Sequence, residues 1–325
     1  AWYGAGYWSL VALTWIYSLG QFIASWFMVK WRPGLPRRAE GVRSLLAFGG
    51  NLTGSGFISY LQRNFDNVLV GWYWGAVPLG LYSRAYSLLT LPLRQLNYPM
   101  SGVAISAMSR LQDDPERQAR YYLRASNLIM WLSAPLTGFV FVAAEPLIVL
   151  TLGPKWRDAA PVFQLLAISA LFQPVYNATG WLFVSRGRVD RLFKLTIYTC
   201  PIIIGSFVLG LPFGIRGVAM SYSLILLAIL PWIFKYTFEG TALNLRRFGK
   251  VLVLPLSVAV MAILAGMASM HLVRFHGDIL RIAVAGGAFA AVYAASLLLP
   301  PVRKEINSLT ALIRELRPQR ATTAS

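Results

Sequence analysis

Three arginines, Arg63, Arg84 and Arg94, stand inside long apolar runs. An ionisable side chain at membrane depth costs about 2.5–3.5 kcal/mol on insertion scales, so it faces a cavity or a partner. Arg63 belongs to Tyr60-Leu-Gln-Arg-Asn-Phe-Asp-Asn67, the most polar stretch of any such run. Arg63, Asp66 and Asn67 are spaced i, i+3 and i+4, one face of a helix. A guanidinium is planar, permanently charged and forked, which suits phosphate or carboxylate. The chemistry these residues offer is anion recognition, with Gln62, Asn64, Gln95 and Asn97 beside them as neutral partners for sugar hydroxyls. Plainer readings stay open. Arg84 and Asp66 could form an ion pair that docks two helices, Arg94 could snorkel to an interface, and each amide alone could serve an interhelical hydrogen bond.

The elements that must position these groups are membrane-spanning helices. Nine runs reach the roughly 20 apolar residues a bilayer crossing needs: 5–29, 44–74, 79–108, 121–151, 159–184, 195–211, 215–238, 251–272 and 279–299. Their length and lack of period-2 polarity exclude the alternating strands of a β-barrel. Trp2, Trp8, Trp26, Trp31, Trp72, Trp74 and Trp156 crowd the predicted ends, as interfacial anchors do. The second and third runs are joined by the short turn Gly75-Ala-Val-Pro78. Asp66 lies about ten residues before that turn and Arg84 about eight after it, which places both near mid-membrane at about 1.5 Å per residue. Arg63 is one turn deeper and Arg94 belongs to the inner half. The hairpin is expected to carry a ladder of cations balanced by one carboxylate.

Composition agrees. Of 325 residues, 57% are hydrophobic and 13% charged, against about a quarter charged in soluble domains. One Cys and two His leave no material for a disulfide framework, a zinc site or a haem pair, so neither metal nor cofactor is expected. The net charge of +18 is a matter of topology: 22 of the 30 basic residues fall in alternate loops, 5 in the intervening ones, and the remaining three are the buried arginines. By the positive-inside rule the C-terminus is cytoplasmic. No basic cluster forms a compact soluble domain, which sets nucleic-acid binding aside. The chain opens at Ala1-Trp-Tyr-Gly without Met or a cleavable signal, and is expected to be a fragment lacking its first helices.

Other features are less specific. Gln173-Pro-Val-Tyr-Asn177 places a proline inside a span, either a plain kink or a broken helix lining a path. Gly50/Gly54 and Gly210/Gly214 permit close helix approach. Glu145-Pro146 reads as interfacial, and His271 and His276 as an outer solvated loop. From Pro301 to Leu316, Ile306, Leu309, Ile313 and Leu316 recur at helical spacing among Arg and Glu, an amphipathic helix on the inner surface. Tyr3-Gly-Ala-Gly6 opens the first span and Phe213-Gly-Ile-Arg-Gly217 the seventh, a faint echo six helices apart.

Several ordered blocks carry a resemblance: Arg63-Asn-Phe-Asp-Asn-Val-Leu-Val-Gly71, Leu79-Gly-Leu-Tyr-Ser-Arg-Ala-Tyr86, Leu91-Pro-Leu93, Ser109-Arg-Leu-Gln-Asp-Asp-Pro-Glu-Arg117, Leu152-Gly-Pro-Lys-Trp156 and Gly214-Ile-Arg-Gly-Val-Ala219. With them the chain resembles the Wzx-like polysaccharide flippases of the multidrug/oligosaccharidyl-lipid/polysaccharide exporter superfamily. The resemblance implies an all-α, two-bundle transporter of about fourteen helices in the cell inner membrane, of which this chain would supply the last nine. Residues 1–38 would then be the last helix of the N-terminal bundle with a basic linker, 39–300 the C-terminal bundle, and 301–325 the cytoplasmic tail. It implies a non-enzymatic role: moving a polyprenyl-diphosphate-linked oligosaccharide by alternating access, among membrane lipids and within reach of polysaccharide polymerase machinery. Arg63 and Arg94, with Arg84, would attract the diphosphate or an acidic sugar; Asp66, Gln62 and Asn67 complete the expected site. Asp66 is the one deep carboxylate available to couple a proton or sodium gradient. The alternatives are a drug/cation antiporter of the same superfamily, which would want carboxylates in its cavity, and a membrane-embedded glycosyltransferase or polymerase of lipid-linked sugars, which would want catalytic carboxylates or a large outer loop. A non-transporting scaffold would leave the arginines unexplained.

Overall fold

The computed structural model describes residues 8–29, 42–272, 277–305 and 307. The basic stretch before Arg43, His276 and the tail residues Leu309, Ile313 and Leu316 lie outside them. No strand occurs among the described residues. The chain forms two compact units, Ala1–Leu46 and Ala47–Ser325. The first contains α1 (Trp8–Met28), whose apolar side chains, Trp15, Ile16, Tyr17, Phe22 and Phe27 among them, are exposed on every side. A helix apolar all round belongs in lipid or a core rather than in water.

The second unit takes up most of α2 (Val42–Trp74) and then α3 (Ala76–Arg110), α4 (Pro115–Val142), α5 (Ala144–Leu152), α6 (Ala160–Asn177), α7 (Thr179–Ser185), α8 (Val189–Gly210), α9 (Gly214–Phe238), α10 (Leu245–Leu272) and α11 (Asp278–Ser296). Two of the expected single spans are broken. The run 121–151 divides at Ala143 into α4 and α5, three residues before Pro146, whose missing N–H is tolerated only in a first helical turn. The run 159–184 divides at Ala178 into α6 and α7, four residues past Pro174.

Three helices also begin six residues before the apolar run that announced them: α4 at Pro115, α8 at Val189 and α10 at Leu245. Polar N-caps start two of them. The Asp114 carboxylate accepts the Arg117 N–H at 3.0 Å, and Asn244 Oδ1 accepts that of Arg247 at 2.7 Å, each satisfying an otherwise orphaned donor. These starts share one end of the bundle, because Arg186 donates both to Gln118 Oε1 on α4 (3.2 Å) and to the Gly240 carbonyl after α9 (3.0 Å). The turns rich in Arg and Lys therefore gather at one end.

Among the described residues, six stretches are long and apolar enough to cross a membrane, together covering α1, α4, α6 to α9, α10 and α11. With 33 and 35 residues, α2 and α3 are long enough to cross but less apolar. They are the helices that carry the three arginines. Together the apolar helices make this a multi-pass membrane protein.

The hydrophobic core comes in two halves. One gathers Val70, Tyr82, Phe163, Leu166, Phe207 and Val218, the other Met108, Tyr122, Ile129, Trp181, Phe238 and Phe248. Along α3 the first half ends at Leu93 and the second begins at Ala104; along α9 the first ends at Ala219 and the second begins at Leu230. The seam between the halves is where the polar residues lie.

Candidate functional site

Five helices of the second unit enclose a cavity of about 160 Å³ at that seam. Each lines it with residues three or four apart, the spacing that puts side chains on one helix face. On α2 these are Ser59, Gln62, Arg63 and Asp66; on α3, Tyr86, Thr90, Leu93, Arg94 and Asn97. Gln173, Tyr176 and Asn177 come from the end of α6, just before the chain breaks at Ala178. Ile203 and Phe207 on α8, with Tyr222 and Leu226 on α9, complete the wall.

Side chains hold α2 in this arrangement. Tyr82 on α3 donates to Asp66 Oδ2 at 2.9 Å, and Gln62 Nε2 reaches Thr199 Oγ1 on α8 at 3.1 Å. Gly54 lies so close to Phe193 that a Cβ there would stand 2.7 Å from the ring, and Trp74 Nε1 donates to the Leu211 carbonyl at 2.9 Å. Of the two glycine pairs, one member each makes the close approach. Gly54 does and Gly50 has open space; Gly210 packs on Gly217, while Gly214 turns the chain at φ +74°.

Of the six residues singled out in the sequence, the structure brings Arg63, Arg94, Asp66 and Gln62 to the cavity. Arg84 is exposed and does not line it, and Asn67 is half-buried beside it. The helix stripe facing the cavity runs 59–62–63–66, which turns Asn67 aside. Asp66 is 2% exposed and does not pair with Arg84. Its partners are the Tyr82 hydroxyl and, at 2.7 Å, the Asn67 backbone N–H. Among the described residues, no carboxylate lies within ion-pair distance of Arg63, Arg84 or Arg94. Arg63 and Arg94 are thus two exposed cations on adjoining helices, facing one space without an anion.

Asn97 lines the cavity; Asn64 spends its amide on the Tyr60 carbonyl of its own helix at 2.8 Å, and Gln95 is exposed. The tyrosines Tyr86, Tyr176 and Tyr222 were not foreseen. Tyr86 pairs with Gln173 and Tyr176 with Thr199, so the hydroxyls are tied into the wall. Their signal in the sequence is faint, since a tyrosine in an apolar helix usually packs in the core or anchors an interface. The proline in Gln173-Pro-Val-Tyr-Asn177 was the usable clue.

An exposed arginine pair over an uncharged, partly aromatic hollow can hold an anion joined to a polar, ring-shaped group. Residues 1–161 match the family described as polysaccharide biosynthesis protein. This half of the chain belongs to that family. The chain is also 29% identical over 196 residues, 60% of its length and 40% of the relative's, to the lipopolysaccharide biosynthesis protein WzxC of Escherichia coli K12. It is 28% identical over 166 residues to the teichuronic acid biosynthesis protein TuaB of Bacillus subtilis 168, matching 50% of this chain and 34% of the relative. These matches span well under half of either relative's length. In fold, the chain superimposes on the lipid II flippase MurJ in its inward closed conformation with a TM-score of 0.57, covering 75% of this chain and 52% of that one at 14% identity. A polysaccharide biosynthesis protein with this helical fold is what the ordered blocks from Arg63 to Ala219 implied.

Proposed function

We propose that the whole protein is a flippase of the cytoplasmic membrane, carrying a polyprenyl-diphosphate-linked oligosaccharide from the inner to the outer leaflet for surface polysaccharide. One observation carries this reading: Arg63 and Arg94 face a shared cavity within a membrane helix bundle and have no carboxylate partner among the described residues. Two cations match the two phosphates of a diphosphate, and the forked guanidinium suits each. The polyprenyl tail stays in lipid while the polar head occupies the cavity. Alternating access, by rocking of two bundles, exposes the head first to the cytoplasm and then to the far side, where polymerase machinery would take it up. The basic turns at one end of the bundle face the cytoplasm in this reading, and the C-terminus lies with them.

The role is transport rather than catalysis. A cation antiporter of the same superfamily is disfavoured because Asp66, the one carboxylate at the cavity, is already engaged by Tyr82. A glycosyltransferase would need catalytic carboxylates free to act on a sugar.

The test is complementation in bacteria lacking their own flippase, supplied with the full-length protein at equal membrane levels. Surface polymer restored by wild type and lost with Arg63→Ala or Arg94→Ala supports the reading. Polymer restored equally by both variants would remove the arginines from the site.

A further inference from the structure

The arginines account for the phosphates, and the rest of the cavity wall has its own chemistry. We infer that this inner wall seats the single sugar bonded directly to the diphosphate, and that this sugar is an uncharged pyranose; the inference rests on the flippase reading of the same cavity.

Size comes first. A volume of about 160 Å³ is that of roughly five waters at about 30 Å³ each, enough for one ring and too little for an oligosaccharide. The wall is built for a ring as well. Tyr86, Tyr176, Tyr222 and Phe207 offer flat faces from three helices, with Leu93 and Leu226 between them. The less polar face of a pyranose packs on such faces, and the tyrosine hydroxyls border its edge.

The remaining hydrogen-bonding capacity is of one kind. Asn97 lines the cavity, its Nδ2 is committed to the Leu93 carbonyl at 3.1 Å, and its Oδ1 is buried with no partner. Asp66 lines it too. Each of its oxygens accepts one bond, from the Asn67 N–H or the Tyr82 hydroxyl, and keeps a second lone pair. Both open groups are acceptors, so the ligand must bring donors, as sugar hydroxyls or the N–H of an acetamido group do. A uronic acid brings a carboxylate instead, which meets the Asp66 carboxylate and an unpaired acceptor. Like charges set together in a closed site discriminate strongly. The charge that attracts the headgroup and the charge that selects its sugar thus lie on one helix turn, at Arg63 and Asp66.

The test uses the purified full-length protein in nanodiscs and three synthetic probes: a short prenyl diphosphate alone, the same bearing glucose, and the same bearing glucuronate. Binding is measured by calorimetry for wild type and Asp66→Asn. Wild type is expected to hold the glucose probe about tenfold or more tighter than the glucuronate probe. Asp66→Asn is expected to close most of that gap by tightening glucuronate, with the sugarless probe unchanged as the check on folding. Equal affinity for all three probes would keep the flippase reading and overturn the sugar seat. Preference for glucuronate, or a gap that survives Asp66→Asn, overturns it as well. Failure of wild type to bind any prenyl diphosphate would overturn the flippase reading and this inference with it.

Discussion

The Asn127 side chain on α4 donates from Nδ2 to the Val251 carbonyl on α10 at 2.9 Å. Val251 is four residues before Pro255, so its carbonyl is the one the proline leaves without a helical donor. A side chain from a neighbouring helix thus satisfies the gap that the proline opens. The same nitrogen reaches Glu305 Oε2 at 3.2 Å. Loss of one such bond costs about 1–2 kcal/mol, and Asn127→Ala is expected to lower stability by that much. Pro255→Ala returns the missing N–H to α10, so Asn127→Ala should cost less in that background, while the Glu305 contact is common to both. Thermal unfolding of the detergent-solubilised protein, followed by a thiol dye at the half-buried Cys200, measures the cycle. Equal costs in the two backgrounds would show that the proline is irrelevant to the bond.

The three membrane arginines separate by position. Arg63 and Arg94 line the cavity and Arg84 does not. Removing one charged partner of a bound anion costs 2–5 kcal/mol or so, at least about tenfold in affinity. Arg63→Ala and Arg94→Ala are therefore expected to cut polymer export severely at unchanged protein levels, and Arg84→Ala to leave it within about twofold. Lysine at Arg63 should restore only part of the loss, because it lacks the planar fork. Export assays on the four variants decide the order. Loss with Arg84→Ala equal to that with Arg63→Ala would contradict it.

Hydropathy made the helix rods legible, and the arginine anomaly made half of the site legible. Burying Arg63 and Arg94 in apolar runs is costly unless they face a cavity, so their presence marks one. The sequence could not reveal which helix face looks inward: Asn67 and Ser59 are equally placed relative to Arg63 by spacing, and only the packing of α2 against Tyr82 and Thr199 selects Ser59. It likewise could not separate cavity tyrosines from packed ones, because Tyr86 in the cavity and Tyr82 in the core lie four residues apart on one helix. The ends of α4, α8 and α10 were missed because their first turns are charged and lie beyond the apolar run.

At the other end of the bundle, α8 and α9 meet backbone to backbone. A Cβ on Gly210 would stand 2.5 Å from the Gly217 carbonyl oxygen, and one on Gly217 would stand 2.5 Å from that of Gly210. Neither neighbour is a flexible tip that can move away. Gly210→Ala and Gly217→Ala are each expected to destabilise by about 1–3 kcal/mol and to lower the yield of monodisperse protein. Gly205, on the same helix, has open space around it, so Gly205→Ala should be neutral or stabilising by up to about 1 kcal/mol through helix propensity. Unfolding temperatures of the three variants test the contrast, and a harmless Gly210→Ala would mean that the two helices are further apart than drawn.

Arg191, in the first turn of α8, closes the last turn of α9 at the basic end. It donates to the Tyr236 and Glu239 carbonyls at 3.1 Å each, pairs with the Glu239 carboxylate, and lies 4.5 Å from the centre of the Tyr236 ring. The carbonyls of a helix's last turn have no partner within the helix, and a cation there also opposes the helix dipole. The side chain is only 12% exposed, so these charge-assisted bonds are less screened than those of a surface pair. Arg191→Ala is expected to cost about 1.5–3 kcal/mol. Lysine keeps the charge but can neither stack flat on the ring nor reach both carbonyls with parallel donors, and should recover less than half. Arg157→Ala, breaking the pair with Glu145 in which the two side chains are 61% and 42% exposed, should change stability by about 1 kcal/mol at most. The ranking Arg191→Ala, Arg191→Lys, Arg157→Ala in loss of unfolding temperature is the expected outcome. Full rescue by lysine would reduce the contact to simple charge.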